Sequence, residues 1–415
     1  MAFPRPRRLW AYLLAERRTL RQGVVALTLS TAASFVAGLT LGSITHTLNL
    51  LPGLLVLIPA AVGMRGTIFG AMGARLGTGI HAGLFEPTLR REGLLGRNVE
   101  IVVISTFLSS FYLAGMAKVV AAAFGESTIS FWDFVTISVV GGAIASVAIL
   151  FVTVGLALLS YRKGWDLDAV STPMVTAIGD MVTLPALFLA TFIPRHDAVN
   201  AVVAAGCTVV GLIALAAAVR SRREVRRTLV EMTAVIAVFP LLDIFAGALL
   251  EARRPSLEAV PAILILLPPF VSQAGALGGI LSARLSSKLQ LGVITPRGMP
   301  EPPAVIDGAI VVGFGLPVFT LIGIVAVALS NLTGLADRAG VLHPDAGTIV
   351  AGTVLAGLIV LPILLVAGYY VAVVTSRFGL DPDNQGVPII TSLMDLVGVA
   401  AVLFAMGVSG VTIHG

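Results

Sequence analysis

The stretch IPAAVGMRGTIFGAMGARLGTGIHAGLFEP, residues 58–87, decides the fold because the chain contains a second version of it. Residues 267–296 read LPPFVSQAGALGGILSARLSSKLQLGVITP and align with the first stretch without gaps, at an offset of 209 positions. The identical pairs include a proline, a glycine and an arginine: Pro59/Pro268, Gly66/Gly275 and Arg75/Arg284. Two apolar helices share Val or Leu by chance, but they do not readily share these residues in register, so the sequence predicts an internal duplication.

A second pair of segments supports the duplication. Residues 165–180 read WDLDAVSTPMVTAIGD and residues 380–395 read LDPDNQGVPIITSLMD, at an offset of 215. Both segments end in aspartate and carry a threonine four positions earlier. The change of offset from 209 to 215 means that the second half has gained about six residues between its two matched segments.

The composition excludes several classes of protein. Only 12% of the 415 residues are charged and 57% are hydrophobic, whereas an ordinary soluble domain has about 25% charged residues. A water-soluble enzyme, a secreted scaffold and a disordered protein are therefore excluded. Cys207 is the single cysteine, which excludes a disulfide framework and a cysteine-based metal cluster. The formal net charge of +5 fits basic cytoplasmic loops rather than nucleic-acid binding.

Apolar runs of about 20 residues, long enough to cross a bilayer, recur along the whole chain. We predict eleven spans: residues 24–48, 51–80, 99–124, 131–160, 172–194, 198–219, 229–250, 258–290, 303–331, 346–375 and 388–413. The fold class is therefore an all-α polytopic membrane protein. The lipid bilayer is its expected surrounding, and nucleic acid is not an expected partner.

The duplication divides these spans into two sets of five. We predict a cytoplasmic N-terminal tail at residues 1–22, a first repeat at 23–196, a linking helix at 197–221 and a second repeat at 222–415. Five is an odd number, so directly joined repeats would be inverted. The linking span restores the direction and predicts a parallel pseudo-dimer with a twofold axis along the membrane normal. One chain then supplies both halves, and a monomer could be the functional unit.

Basic residues predict the orientation. The N-terminal tail and every second loop after it hold most of the Lys and Arg, including Arg17-Arg18 before the first span and Arg222-Arg223 before the seventh. Basic residues mark the cytoplasmic side. We therefore expect a multi-pass plasma-membrane protein with its N-terminus in the cytoplasm and its C-terminus outside.

Asp180 and Asp395 are the main candidate site residues. Each lies about two turns inside an apolar span, where a carboxylate is costly and usually faces protein or a water-filled cavity. Thr176 and Thr391 lie one turn earlier on the same helix face. Two related carboxylates near one axis repel each other unless a cation, a proton or an arginine lies between them. Mg²⁺ takes oxygen ligands and keeps several waters, so a cation site is one interpretation. The other is that each Asp is protonated or paired with Arg and only fixes packing.

Other residues are candidates for lining or supporting the pore. Pro59 and Pro268 are expected to break or kink their spans near mid-membrane and so free backbone carbonyls. Gly63, Gly66 and Gly275 allow close backbone approach. The remaining candidates are charged or polar: Arg65 as a partner of Asp180 or Asp395 or as a positive barrier, and Asp166, Asp168, Asp381, Asp383 and Asn384 as a cation-attracting inner mouth. Lys118 and Asp243 lie within spans but match no charge in the other half, so they carry less weight.

Two motifs resemble a known family. Residues 63–66 (GMRG) and 74–78 (ARLGT) resemble the second-helix signature of the MgtE-type magnesium transporters, and most closely that of their duplicated solute-carrier relatives. Residues 381–384 (DPDN) begin a segment that resembles the family's last-helix signature. The segment continues with Pro388, Thr391, Ser392, Asp395 and Gly398.

The resemblance implies five spans per unit, paired about a twofold axis, with the last-helix aspartate at the ion site. Asp180 and Asp395 become the expected Mg²⁺ carboxylates, with Mg²⁺ as transported ion rather than cofactor. No soluble stretch is long enough for the cytoplasmic regulatory domains that many bacterial members carry. The usual second-helix Asn of the family is replaced by Thr67 and Ala276.

Three alternatives remain beside a divalent-cation transporter or channel. A permease of the same fold for another cation or a small solute is one, and a non-transporting sensor or scaffold is another, because polar ligands are few along the second helices. An intramembrane aspartyl protease is the third. It is disfavoured because both aspartates occupy equivalent repeat positions and no distinct second motif exists.

Overall fold

A computed structural model describes residues 17–125, 128–163, 167–194, 196–335, 345–378 and 386–411. Within these ranges the chain forms thirteen helices and no strand. They are α1 (Arg17–Ser43), α2 (Thr45–Leu50), α3 (Leu54–His81), α4 (Leu94–Ala123), α5 (Phe131–Lys163), α6 (Leu167–Ala190), α7 (Asp197–Arg220), α8 (Arg223–Glu251), α9 (Arg254–Ala259), α10 (Pro261–Gln290), α11 (Pro302–Leu332), α12 (Ala346–Arg377) and α13 (Val387–Val408).

The predicted all-helical membrane fold is confirmed in its coarse form. Among the described residues, nine helices are long and apolar enough to cross a membrane: α3, α4, α5, α7, α8, α10, α11, α12 and α13. The first and fifth predicted spans correspond to α1 and α6, whose apolar parts are shorter, Leu27–Ser43 and Met174–Ala190. That all eleven segments cross the membrane stays a prediction.

Two predicted spans were drawn too long. The first, 24–48, and the eighth, 258–290, each run into a short separate helix, α2 or α9. The first long helix ends at Ser43, and α2 is followed by Gly53, whose φ of 87° lies in the left-handed region. Glycine adopts that conformation without a steric penalty, so the chain turns sharply there before α3 begins.

The two long helices α3 and α10 form the centre of the fold. In the first half α3 packs on α4, α5 and α6, and in the second half α10 packs on α11, α12 and α13. The first helix of each half crosses to the other half, because α1 packs on α10 and α6 while α8 packs on α3 and α13. The linking helix α7 lies at the outside, against α4, α5 and α8.

Close glycine contacts make these crossings possible. A Cβ atom on Gly38 of α1 would clash with the backbone of Ile265 in α10, and one on Gly247 of α8 would clash with the backbone of Val56 in α3. Gly38 and Gly247 are 209 positions apart, and so are Val56 and Ile265. The same kind of backbone contact therefore occurs at two places 209 positions apart.

Glu251, at the end of α8, fixes the start of α3. Its carboxylate is 4% exposed and accepts hydrogen bonds from the backbone N–H groups of Gly53, at 2.9 Å, and Leu55, at 3.2 Å. The first N–H groups of a helix have no partner within the helix and favour a nearby negative charge. The second half therefore positions the helix that carries Gly63.

Candidate ion site

Asp180 lies at a junction of three helices. It is 8% exposed, on α6. Ser34 of α1 donates a hydrogen bond to Asp180 Oδ2 at 2.9 Å, and Ser272 of α10 donates to the same oxygen at 2.7 Å. The helices α1 and α6 belong to the first half and α10 to the second, so Asp180 is reached by polar groups of both halves. Its carboxylate is solvated by hydroxyl groups in place of water.

Asp395 of α13 has a different environment. It is half-buried and faces a second carboxylate, that of Asp243 on α8, which is 1% exposed. Both carboxylates lie over Gly63 of α3: a Cβ atom there would be 2.8 Å from Asp243 Oδ2 and 3.5 Å from Asp395 Oδ2. Ser392 donates to Asp243 Oδ2 at 3.3 Å. Two carboxylates therefore share a small space that only glycine leaves open.

The two environments are related position by position. An offset of 209 relates Ser34 to Asp243 and also relates Gly63 to Ser272. Ser34 of α1, which donates to Asp180, therefore corresponds to Asp243, whose carboxylate lies beside Asp395. Ser272 of α10, the other donor to Asp180, corresponds to Gly63, which has no side chain to donate.

The three aspartates lack basic partners. In the part of the chain that the structure describes, no ion pair joins a Lys or Arg to Asp180, Asp243 or Asp395. Nor do three or more His, Cys, Asp or Glu side chains come close enough together there to hold a metal ion. A cation at these carboxylates would therefore take one or two of them and keep part of its water, as Mg²⁺ commonly does.

The other predicted lining residues lie around this junction. Thr391 is half-buried but donates to the carbonyl oxygens of Val387 and Pro388 in its own helix. Thr176 is half-buried one turn before Asp180. Gly275 packs on Thr391, with 3.5 Å from a built Cβ atom to Cγ2, whereas Gly66 has nothing within 4 Å.

Pro59 and Pro268 do not break their helices. The helix α3 is continuous through Pro59, and α10 is continuous through Pro268 and Pro269. Both prolines lie in the first third of their helix rather than near its middle. The prediction of a break is therefore wrong, because each proline removes one intrahelical hydrogen bond and the helix continues on both sides of it. A kink at either proline stays a prediction.

Arg65 points away from the aspartates. It is 1% exposed, and its guanidinium donates to the Ala61 carbonyl and to Ser110 Oγ, both at 3.1 Å. It lies against Gly142 of α5, where a Cβ atom would overlap Nη2. Successive helix residues are about 100° apart, so the side chain two positions after Gly63 faces the opposite side. The suggested pairing of Arg65 with Asp180 or Asp395 is not found.

Three further basic residues are held by neighbours. Arg284 donates to the fully buried Asp307 of α11, with 2.9 Å from Nη2 to Oδ1, and Lys288 Nζ is 2.5 Å from Oδ2 of the same carboxylate. Arg75 Nε donates to Asn98 Oδ1 at 2.7 Å. Arg284 and Arg75 are therefore anchored in the protein, not simply extended toward the membrane surface.

The predicted inner mouth cannot be placed. Asp166, Asp381, Asp383 and Asn384 lie outside the described residues, and so does the side chain of Asp168. Lys118 lies near the end of α4, where its Nζ donates to Thr128 Oγ1 at 2.5 Å and to the Ile129 carbonyl at 2.8 Å.

Sequence reasoning missed the importance of Asp243, Ser34 and Ser272. Asp243 was given little weight because no charge matches it in the other half. A search for any polar residue at the 209 offset would have paired it with Ser34. The same search relates Ser272 to Gly63, which the sequence had singled out for close backbone approach.

A family model described as "MgtE: Divalent cation transporter" matches residues 58–190 and 267–405, which is more than half of the chain. The two ranges begin at Ile58 and Leu267, the residues that open the two related stretches of sequence.

Several curated relatives are solute carriers of animals. Solute carrier family 41 member 2 of Gallus gallus is 24% identical over 367 residues, which are 85% of this chain and 63% of the relative. The Homo sapiens member 2 is 23% identical over 359 residues, covering 83% of this chain and 62% of the relative. Member 3 of Rattus norvegicus is 23% identical over 405 residues, covering 92% and 85%. The chain thus spans less than two thirds of the length of the two member 2 proteins.

Proposed function

This chain belongs to the MgtE family of divalent cation transporters, and we propose that it carries a divalent cation, with Mg²⁺ as first candidate, across the plasma membrane. The family consists of transporters, so the chain is not assigned an enzymatic activity. The proposed path runs between the two halves, past Asp180 and Asp395.

One observation carries this proposal: Asp180 is buried at a junction of both halves and, among the described residues, has hydroxyl partners but no basic one. A carboxylate within a membrane protein is expensive unless a counter-charge or a proton compensates it. Arg65, the counter-charge that the sequence suggested, bonds elsewhere. A passing cation is the compensating charge that a transporter would use.

We further propose that the two halves are parallel repeats related by a pseudo-twofold axis, at residues 23–196 and 222–415. The reciprocal contacts of Gly38 with Ile265 and of Gly247 with Val56 support this. So do the two family matches, which start 209 positions apart. With α7 as a linking span, the N-terminus would lie in the cytoplasm and the C-terminus outside.

Mg²⁺ fits the residues better than a soft metal ion. The groups near the junction are carboxylate and hydroxyl oxygens, and hard divalent cations prefer oxygen ligands. Mg²⁺ retains most of its water and uses one or two carboxylates, which suits a site with few protein ligands. Softer metal ions favour imidazole or thiolate.

The test is flux into liposomes. Liposomes that contain the wild-type chain and enclose a Mg²⁺ indicator should show Mg²⁺ entry down a gradient. The double variant Asp180→Asn/Asp395→Asn should not. Asp197→Asn, the same chemical change at an exposed position at the start of α7, is the matched control and should retain flux. Unchanged flux in the double variant would exclude the path past these carboxylates, and no divalent flux by the wild type would exclude the ion assignment.

A further inference from the structure

We propose that Asp243 is a cation ligand, and that Asp243, Asp395 and Ser392 together form one cation-binding site that has no equivalent beside Asp180. The inference rests on the proposed transport function for its physiological meaning. Its test measures binding and does not require transport. The site is asymmetric: the first helix of the second half supplies a carboxylate where the first half supplies a hydroxyl.

The first argument is the closeness of two acids in a buried place. Asp243 is 1% exposed, and its Oδ2 lies over Gly63 together with Asp395 Oδ2. Neither carboxylate pairs with a Lys or Arg of the described residues. Two such groups repel each other unless a positive charge lies between them. A divalent cation supplies that charge in full.

The second argument is an unpartnered buried atom. Asp243 Oδ1 is buried and has no hydrogen-bond partner among the described residues. The other oxygen, Oδ2, accepts a 3.3 Å contact from Ser392 and lies over Gly63 beside the Asp395 carboxylate. A buried carboxylate oxygen without a partner costs a substantial part of its solvation free energy. An oxygen left free in this way is available to coordinate a metal ion or its bound water.

The third argument is the contrast with Asp180. Ser34 and Ser272 both donate to Asp180 Oδ2, so one oxygen of this carboxylate has two protein donors. The equivalent positions near Asp395 hold Asp243 and Gly63. Neither an ionised carboxylate nor a glycine can donate a side-chain hydrogen bond. The second-half aspartate therefore lacks the donors that its counterpart has. It has a second carboxylate beside it instead.

This arrangement selects a hard, partly hydrated divalent ion. Two carboxylates and one hydroxyl offer three oxygen-bearing groups, and waters fill the remaining positions around Mg²⁺ or Mn²⁺. The absence of a side chain at Gly63 lets both carboxylates lie this close to α3, because a Cβ atom would come within 2.8 Å of Asp243 Oδ2. Binding at this site would hold α8 of the second half against α13 and α3.

The decisive experiment measures Mn²⁺ binding to the full chain in detergent by electron paramagnetic resonance, with Mg²⁺ as competitor. Asp243→Ser, which copies the residue found at Ser34, should weaken Mn²⁺ binding about tenfold or more, the range expected when a metal's coordinating environment is lost. Asp243→Asn should give the same result without a change of side-chain size. Asp197→Asn, which changes an exposed carboxylate at the start of α7, should leave Mn²⁺ binding unchanged.

A charge exchange provides the sharpest control. In the double variant Asp243→Ser/Ser34→Asp the carboxylate moves to the first half, beside Asp180. Mn²⁺ binding should recover, and it should then be lost with Asp180→Asn instead of Asp395→Asn. Gel filtration and thermal unfolding of each variant identify those that fail to fold, and binding is compared only among folded proteins.

Three outcomes would overturn the inference. One is wild-type Mn²⁺ affinity in both Asp243 variants, which would leave Asp243 a packing residue. Another is an equal loss of binding with Asp197→Asn, which would place the measured site away from Asp243. The third is no Mn²⁺ binding by the wild-type chain. Retained binding without flux in liposomes would instead count against the proposed transport and leave the Asp243 site intact.

Discussion

Gly247 of α8 lies directly on the backbone of Val56 in α3, where a Cβ atom would come within 2.5 Å of the Val56 carbonyl oxygen. The contact joins the second half to the first close to the junction that holds the aspartates. Gly38 makes the same kind of contact with Ile265. Gly247 lets α8 approach α3 closely enough for Asp243 to lie over Gly63. Gly38 lets α1 approach α10, where Ser34 and Ser272 donate to the same oxygen of Asp180.

Gly247→Ala is therefore expected to destabilise the protein by about 1–3 kcal/mol, the usual cost of overpacking. The atom in the way belongs to a backbone, which cannot move aside as a side-chain tip can. Thermal unfolding in detergent would show a lower Tm, and Gly38→Ala should lower it similarly.

The matched control is Gly206→Ala in α7, because nothing lies within 4 Å of a Cβ atom at that position. Alanine is the better helix former by about 1 kcal/mol, so this change should leave the Tm unchanged or raise it. Equal behaviour of Gly206→Ala and Gly247→Ala would mean that α8 and α3 are not in close contact.

Asp307→Ala is expected to destabilise the second half strongly. Asp307 is fully buried and forms ion pairs with both Arg284 and Lys288. Removing one partner of a buried ion pair leaves an uncompensated charge and typically costs about 3–5 kcal/mol. Thermal unfolding of the variant, compared with Asp307→Asn, would measure the loss.

The exposed pair Arg227–Glu231 is the control for this prediction. Its side chains are 82% and 59% exposed, and such pairs contribute at most about 1 kcal/mol. Glu231→Ala should therefore change the Tm little. A similar small effect of Asp307→Ala would show that Arg284 and Lys288 find solvent instead.

The sequence predicted the helices well because long apolar runs have few alternative structures in a bilayer. The part it could not supply was the partnership between helices. Asp243 is related to Ser34 by position, yet its neighbour Asp395 lies on α13, and its contact with Gly63 depends on α8 crossing to the other half. Hydropathy and spacing along one helix contain no information about that crossing.

Arg65 illustrates a different limit. Charge alone favoured a pairing with Asp180 or Asp395, since these are opposite charges inside spans. The direction of a side chain around its helix is decided once the face that contacts a neighbour is known. Gly63 faces Asp243, so Arg65 faces Ser110 and the glycine of α5.

Ser34→Ala combined with Ser272→Ala should destabilise the protein, because Asp180 Oδ2 would lose both of its hydroxyl donors. Hydrogen bonds to charged groups contribute about 1.5–3 kcal/mol each, and the two single variants should show smaller decreases in Tm than the double one. Thr320→Val on α11 is the control, since its hydroxyl donates only to the Leu316 carbonyl of the same helix. A double variant as stable as Thr320→Val would mean that Asp180 is solvated from elsewhere.

Gly142 and Arg65 should behave as a coupled pair. A Cβ atom at position 142 would overlap the Arg65 guanidinium. Gly142→Ala is therefore expected to displace the guanidinium from Ser110 and to lower the free energy of unfolding by about 1–3 kcal/mol. In an Arg65→Met background the same change should cost less, since the displaced atom is no longer charged. Thermal unfolding of the four proteins gives the coupling free energy, which should be about 1 kcal/mol. Additive effects would place the guanidinium away from Gly142.

Arg65→Met should also retain the wild-type concentration dependence of Mg²⁺ flux, because this arginine faces α4 and α5 and not the carboxylates.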